Sequence, residues 1–218
     1  MDGTLFGALL AGGENRRFGA HKALAPVGGR PILDRALEAL AGATDRIGIV
    51  ANEPGPYLAA GRPVRPDLRP GTGALGGILT AVRWAMEERC EAAAVLACDM
   101  PFVPGALIRR LADEAGPGIV AAPASAGRRG LEPLCAVYGV GTAAAIEAAL
   151  DRGDRAVVSF FDEVELRVLD ADEVRRFGDP GRMFWNVNRP EDRATADDLA
   201  AGTRQPGNER RGRDHEST

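Results

Sequence analysis

The sequence is poor in residues on which several common classes of protein depend. It has two histidines and three cysteines among 218 residues. Two histidines are too few for a histidine-based zinc site. Three cysteines without a C-x-x-C pair fit a reducing compartment better than a disulfide framework. No apolar run reaches the roughly 18–20 residues that a bilayer span needs, so we expect no membrane partner.

An excess of positive charge is also missing. The formal net charge is −4, which provides no polybasic footprint, so we expect no nucleic-acid partner. The chain begins Met1-Asp2-Gly3-Thr4, which is acidic where a secretory signal would be basic. These features predict a cytoplasmic location.

The composition that is present, 45% apolar and 27% charged, is typical of a globular protein. Short apolar runs alternate with patterns of helical period. The pattern predicts strands over residues 5–10, 47–51, 64–67, 92–98, 119–122, 134–138 and 164–169. It predicts helices over 31–40, 74–88 and 142–150, with others starting at 104 and near 190. This order predicts an α/β fold with three α/β/α layers and a mostly parallel central sheet.

The domain organisation follows from where apolar residues stop. Residues 1–201 are predicted to form a single domain, since the apolar periodicity runs through them. The segment 202–218 has almost no apolar residues, and we expect it to be a disordered polar tail.

Four residues follow directly from predicted strands: Gly12, Asn52, Asp67 and Asp99. In open parallel sheets, ligands bind beyond the carboxyl ends of the strands. The sequence therefore predicts that these residues share one site.

The glycine-rich stretch LAGGENRRFGAHK at 10–22 follows the first predicted strand. Such a turn exposes backbone N–H groups that can cradle phosphate, and Arg17 and Lys22 add cations for a triphosphate. The dinucleotide pattern G-x-G-x-x-G fails because Glu14 follows Gly13. The Walker pattern fails as well, because no Gly-Lys-Ser/Thr follows at the required spacing. The alternative is a strand-to-helix loop with basic surface residues.

Asp99 follows a buried strand in ACDMP at 97–101, which suits a Mg²⁺ ligand. Its alternative role is to cap the turn before the next helix. Asp67 could bind sugar, base or metal, or be an exposed turn residue.

Two further segments are candidates for substrate contact. The loop 71–77 could close over the base or ribose, because glycine allows close backbone approach, or it could be a plain loop. Asn186 and Asn188 lie two apart on an extended segment, so their side chains point the same way and could hydrogen-bond to an acceptor. Alternatively, this segment is a turn before a helix that starts with proline.

Taken together and in order, these motifs resemble those of the molybdenum cofactor guanylyltransferase family, one of the Rossmann-like nucleotidyltransferases. The resemblance covers about residues 5–200. It rests on the stretch at 10–22 and on the following motifs: GALGG at 73–77, CDMP at 98–101, EPLCAVY at 132–138 and NVNRPED at 186–192.

The resemblance implies a role for each matching residue. Leu10, Ala11, Gly12 and Gly13 would contact the guanine nucleotide, and Asn52 and Asp67 would line its pocket. Lys22, Arg17 and Asp99 would act in catalysis, with Lys22 on the phosphates and Asp99 on Mg²⁺. Arg155, Asn186 and Asn188 would lie on the acceptor side.

The implied reaction is attack by the terminal phosphate of molybdopterin on the α-phosphorus of GTP, which releases pyrophosphate. GTP and molybdopterin are then the substrates, and molybdoenzymes or their chaperones are the partners. Catalysis would rest on positioning and charge neutralisation rather than on a covalent intermediate.

Three departures from the family pattern leave alternatives open. Phe18 stands where the family has methionine, His21 replaces the aspartate before Lys22, and Ala156 stands where some members have a second arginine. One alternative is a cytidylyltransferase of the same cofactor, which the Gly12-Gly13 pair disfavours, or another small-phosphate nucleotidyltransferase. A second is a non-catalytic nucleotide- or cofactor-binding module, which His21 favours and the presence of Lys22 and Asp99 disfavours.

Overall fold

A computed structural model describes residues 5–11, 22–187 and 192–202. Within these residues, seven strands form one sheet in the order β5-β4-β1-β6-β8-β7-β9, and β2 and β3 form a separate hairpin. The strands are β1 (Leu5–Leu10), β2 (Pro26–Val27), β3 (Arg30–Pro31), β4 (Ile47–Val50), β5 (Val64–Arg65), β6 (Ala92–Ala97), β7 (Ile119–Pro123), β8 (Cys135–Gly139) and β9 (Glu165–Leu169).

Helices cover both faces of the sheet, as a three-layer fold requires. They are α1 (Ile32–Ala41), α2 (Ala74–Glu87), α3 (Gly105–Asp113), α4 (Ala143–Asp151), α5 (Ala171–Arg175), α6 (Pro180–Met183) and α7 (Asp192–Ala200). One core cluster lies under α1 and α3, and a second lies under α2 and α4. Because both faces are covered, central strands are apolar throughout, and all six residues of β6 are buried.

The predicted three-layer fold with a mostly parallel sheet is confirmed. The pairs β1–β4, β1–β6, β4–β5 and β7–β9 are parallel. Strand β8 is the exception, since it runs antiparallel to both β6 and β7. The connection from β7 to β8 contains no α-helix to carry the chain back across the sheet, so the two strands pair in opposite directions.

The predicted segments agree with the observed ones to within one or two residues at most ends. The extended piece at 64–67 is shorter than predicted, because β5 ends at Arg65. The hairpin β2–β3 and the short helices α5 and α6 were not predicted. The two-residue turn of the β2–β3 hairpin, Gly28-Gly29, has positive φ at both residues. This conformation favours glycine in tight hairpins.

The last described helix packs against this hairpin. The carboxylate of Asp197 in α7 accepts a hydrogen bond from the backbone N–H of Gly28 at 2.7 Å. Ala196 and Leu199 of the same helix are fully buried. Helix α7 therefore braces the segment that follows Lys22.

The ladder hydrogen bonds continue to the carboxyl ends of the central strands. Ala11 N donates to Val50 O at 2.9 Å, Ala51 N to Arg65 O at 2.8 Å, and Cys98 N to Leu10 O at 3.0 Å. The residues that follow β1, β4, β5 and β6 are thereby held at one edge of the sheet, which is called the carboxyl edge below.

In the part of the chain that the structure describes, no helix is long and apolar enough to cross a membrane. The expected disordered tail lies outside the described residues from position 203 onward. The single-domain boundary at 201 and the cytoplasmic location remain predictions.

Strand β4 and helix α2 are in close contact at Gly48, where an added Cβ would overlap the ring of Trp84. Gly48→Ala should therefore lower the free energy of unfolding by about 1–3 kcal/mol, because the buried ring has to shift. Urea denaturation measures this change. Gly118→Ala is the control, because nothing lies within 4 Å of its added Cβ; equal losses in the two variants would contradict the packing argument.

Candidate active site

A lysine and an aspartate meet at the carboxyl edge. Lys22 Nζ lies 3.1 Å from Asp99 Oδ2, and their side chains are 18% and 27% exposed. Asp99 follows β6, and Lys22 opens a 3₁₀ turn after the glycine-rich stretch. The pair is separated by 77 positions in sequence, so the fold creates this contact.

Asn52 and Asp67 form a second polar pair, at the ends of β4 and β5. Asn52 Nδ2 donates to Asp67 Oδ2 at 2.9 Å, and the backbone N–H of Asp67 donates to Asn52 Oδ1 at 2.9 Å. Both residues are exposed or half-buried. The two bonds orient the Asp67 carboxylate and leave its Oδ1 available at the edge.

Helix α2 approaches this pair closely because its first turns are glycine-rich. An added Cβ on Gly77 would lie 3.3 Å from Leu10 Cδ1 and 3.6 Å from Asp67 Oδ1. Gly73, at the start of the helix, has φ +70°. The contacts of Gly77 connect the end of β1 with Asp67 across the start of α2.

The segment that carries Asn186 is hydrogen-bonded to the backbone of Asp99, the candidate Mg²⁺ ligand. The backbone N–H of Val187 donates to the carbonyl oxygen of Asp99 at 3.0 Å. Asn186 Oδ1 is buried and has no hydrogen-bond partner among the described residues. A buried amide oxygen without a partner is costly, so this atom is free to accept a hydrogen bond as far as the described residues are concerned.

Glu132 is a half-buried carboxylate that the sequence analysis left without a role. Burial raises its pKa, the nearby charge of Asp99 raises it further, and a hydrogen bond from the backbone N–H of Leu134 opposes both effects. Glu132 precedes β8, whereas the other candidates follow parallel strands. Glu132 lies in the motif EPLCAVY, but the strand-end rule considers only residues that follow a strand. Because β8 is antiparallel to its neighbours, Glu132 reaches the same edge by preceding its strand.

Cys98 lies beside Asp99 but is not a nucleophile. Burial raises the pKa of its thiol to about 12; the negative charge of Asp99 adds to this effect, and the positive charge of Lys22 opposes it. The thiol is therefore protonated at neutral pH, and only the thiolate is reactive.

The structure joins some predicted residues and not others. Leu10 and Ala11 lie between the two polar pairs, at the end of β1. Arg155 is exposed in the turn after α4, and no contact among the described residues joins it to Asp99. Gly12, Gly13, Arg17 and Asn188 lie outside the described residues, as does His21. The roles assigned to all these residues remain predictions.

The described residues contain no group of three or more histidine, cysteine, aspartate or glutamate side chains that could hold a metal ion. This does not conflict with a Mg²⁺ site, because Mg²⁺ at phosphate-transfer sites is held by one or two carboxylates together with substrate phosphates. Asp99 fits that pattern. Lys22 contacts its Oδ2, and its Oδ1 makes no hydrogen bond within the described residues.

A mostly parallel sheet with a Lys–Asp pair at the carboxyl ends of its central strands is typical of nucleotide-binding α/β proteins. These proteins bind the phosphates of the nucleotide at that edge. Residues 7–173 match the family of MobA-like NTP transferase domains. The chain belongs to this family, and it is a nucleotidyltransferase.

Proteins named molybdenum cofactor guanylyltransferase are among the relatives. The chain is 36% identical to the one from Cereibacter sphaeroides over 198 residues, covering 89% of this chain and 96% of the relative. It is 37% identical to the one from Rhodobacter capsulatus over 197 residues, covering 88% and 94%. The resemblance inferred from the motifs is therefore confirmed, and the alternative of a non-catalytic module is disfavoured.

A solved structure confirms the fold. The protein named molybdopterin-guanine dinucleotide biosynthesis protein A from Archaeoglobus fulgidus superimposes with a TM-score of 0.73 at 24% identity. The alignment covers 90% of this chain and 98% of that one. The predicted nucleotidyltransferase fold is thus correct.

The raised pKa of Glu132 leads to a prediction about stability. A carboxyl group with a raised folded-state pKa contributes stability that is complete below its unfolded pKa and is lost as pH rises through the folded one. Without divalent cations, Glu132→Gln should therefore raise Tm by a few degrees at about pH 8, and the gain should vanish at about pH 4. Glu91→Gln, at an exposed position, is the control. A gain that is the same at both pH values would refute this explanation.

Proposed function

We propose that this chain transfers GMP from GTP to the phosphate of molybdopterin, giving molybdopterin guanine dinucleotide and pyrophosphate. The observation that carries the proposal is the Lys22–Asp99 pair at the carboxyl edge. The names of the relatives at 36% and 37% identity support the choice of substrates. Molybdoenzymes or their chaperones are then the recipients of the product.

The order of the strands supports a division of the site into two halves. Asn52 and Asp67 follow β4 and β5 on one side of β1, and Asp99 follows β6 on the other. We assign the first side, with Leu10, Ala11, Gly12 and Gly13, to the nucleotide. This leaves the side beyond Asp99 for the acceptor.

The acceptor half is assigned to Asn186, Asn188 and Arg155. The support is strongest for Asn186, because its neighbour Val187 is bonded to Asp99 and its own amide oxygen has no partner among the described residues. Arg155 is an exposed cation that suits a phosphate. Asn188 is included because it resembles the family motif.

The reaction brings two anions together, so positive charge is its main requirement. A phosphate oxygen of molybdopterin forms a bond to the α-phosphorus of GTP. The bond from that phosphorus to the bridging oxygen breaks, and its electron pair leaves with pyrophosphate. Lys22 places its ammonium group at this edge, and Arg17 is assigned to supply further positive charge to the phosphates. The nucleophile is already an anion, so no side chain needs to act as a general base.

Mg²⁺ is the cofactor that Asp99 suits, since a carboxylate oxygen at the strand end is a ligand of the kind Mg²⁺ prefers. When bound, Mg²⁺ supplies charge neutralisation for the α-phosphate and the leaving pyrophosphate. Asp99 holds Lys22 at the same time, and the contact fixes the position of the ammonium group before substrates arrive.

Substrate identity is tested by pyrophosphate release with Mg²⁺, comparing GTP, CTP, ATP and UTP with and without molybdopterin. We expect release to require molybdopterin and kcat/KM for GTP to exceed the others by about tenfold or more. A preference for CTP would instead identify a cytidylyltransferase of the same cofactor. GTP binding without any release would contradict the enzymatic proposal.

Asp99→Asn should lower kcat for guanylyl transfer by about 10²–10³-fold, because a neutral amide is a poorer ligand for Mg²⁺ and a weaker partner for Lys22, so positive charge at the reacting phosphates is lost. The fold should persist, since asparagine has nearly the same shape and Asp99 is partly exposed. Steady-state kinetics measures the loss, and circular dichroism monitors the fold.

The matched control is Asp162→Asn, which changes an exposed carboxylate bonded to Arg129, in the 3₁₀ turn before β9 and outside the residues assigned to the site. Turnover close to that of the wild type in Asp99→Asn would remove Asp99 from the reaction. A similar loss in both variants would point to a general effect on the protein.

A further inference from the structure

The segment that begins at α6 runs alongside the residues that follow Asp99. At one end, the backbone N–H of Val187 donates to the carbonyl oxygen of Asp99 at 3.0 Å. At the other end, the guanidinium carbon of Arg182 lies over the ring of Phe102, 5.5 Å from the ring centroid. Met183 and Val187 are buried, which anchors the segment in the core. Two separate contacts therefore place Arg182 beside the residues that follow β6.

The guanidinium of Arg182 has no counter-ion among the described residues. Its side chain is exposed, and in the part of the chain that the structure describes it takes part in no ion pair and no hydrogen bond. Two arginines of helices α3 and α5 differ, since Arg110 is paired with Glu173 and Arg175 with Asp172. Contact with an aromatic ring holds a guanidinium in place without using its N–H groups. The N–H donors of Arg182 therefore remain for an anionic ligand.

The position of Arg182 suits the acceptor rather than the nucleotide. The nucleotide was assigned to the side of β1 that carries β4 and β5, whereas Phe102 comes after β6, three residues beyond Asp99. Three residues of chain span at most about 11 Å, so a ligand that approaches Asp99 can also reach the guanidinium. Arg155, the cation assigned to the acceptor from the family resemblance, has no comparable contact with this segment among the described residues.

We propose that Arg182 is an acceptor-binding residue: its guanidinium, held over the ring of Phe102, donates hydrogen bonds to the phosphate of the acceptor and offsets its charge. A planar guanidinium can bind two phosphate oxygens at once. With Lys22 assigned to the nucleotide, a cation on the acceptor side opposes the repulsion between the two anionic substrates. The inference rests on the proposed function, because it assumes an acceptor that carries a phosphate monoester.

The test is Arg182→Gln, which removes the charge and keeps a side chain that can pack over the ring. We expect KM for molybdopterin to rise about tenfold, because charge-assisted hydrogen bonds are lost. Kd for GTP, measured with Mg²⁺ by calorimetry, should stay within about twofold of the wild-type value. Tm should change by less than about 2 °C, since the exposed side chain has no ion pair to lose among the described residues. An unchanged KM for molybdopterin would overturn the inference.

Ionic strength separates an effect of charge from an effect of shape. Salt screens the attraction between an exposed guanidinium and a phosphate. The ratio of the variant KM to the wild-type KM should therefore shrink as salt is raised from about 0.05 M to about 0.5 M. A ratio that is independent of salt would contradict the inference. Arg182→Lys keeps the charge and should raise KM less than Arg182→Gln does, and an equal rise in the two variants would also count against it.

Arg176→Gln is the matched control. Arg176 is exposed directly after α5, six positions before Arg182, and it too forms no ion pair in the described part of the chain. The same loss of charge at this position should leave KM for molybdopterin within about twofold of wild type. A rise equal to that in Arg182→Gln would refute a specific role for Arg182.

The behaviour of the wild-type chain separates this inference from the proposed function. If the wild type transferred no GMP to molybdopterin, the inference and the proposed function would both fail. If the wild type transferred GMP and Arg182→Gln kept the wild-type KM for molybdopterin, the inference alone would fail.

Discussion

The parallel pairing of β1 with β6 is the constraint on which the site depends. All six residues of each strand are in register, from Leu5 opposite Ala92 to Leu10 opposite Ala97. Because the strands run in the same direction, both release the chain at one edge, with the glycine-rich stretch after one and Asp99 after the other. A slip of a single residue would turn every side chain of a strand to the other face. Both faces are covered by core clusters, so a slip would place side chains of a different size in close-packed positions on each face.

Two pairs of polar side chains at this edge are already formed within the protein before any substrate binds. Lys22 lies against Asp99, and Asp67 is held by Asn52. An ammonium group already held by a carboxylate needs little rearrangement to meet a phosphate, and such preorganisation is the main way in which proteins stabilise phosphoryl and nucleotidyl transfer.

Most of the fold could be predicted from the sequence. Continuous apolar runs such as 92–98 are typical of buried strands, and periodic segments such as 74–88 are typical of helices with one buried face. The rule that parallel strands end at one edge placed Asn52, Asp67 and Asp99 in one site, but the contact between Lys22 and Asp99 was not itself predicted. The direction of β8 could not be predicted, since an isolated apolar strand contains no information about which way its neighbours run. Glu132 was overlooked for the same reason, because it reaches the edge from the start of a strand.

The contact between helix α7 and the β2–β3 hairpin has a consequence for the boundaries of the working unit. The family match ends at residue 173, yet Asp197 reaches back to Gly28, six positions after Lys22. The Asn186 segment also lies beyond the match and is anchored at Asp99. The family model thus covers less of the chain than the region that packs around the site, whereas the alignment with the Cereibacter sphaeroides relative spans 198 residues. Residues beyond the family model, Val187 and helix α7, therefore help to hold the segments that carry Asp99 and Lys22, and a fragment cut at the end of the family model would lack these supports.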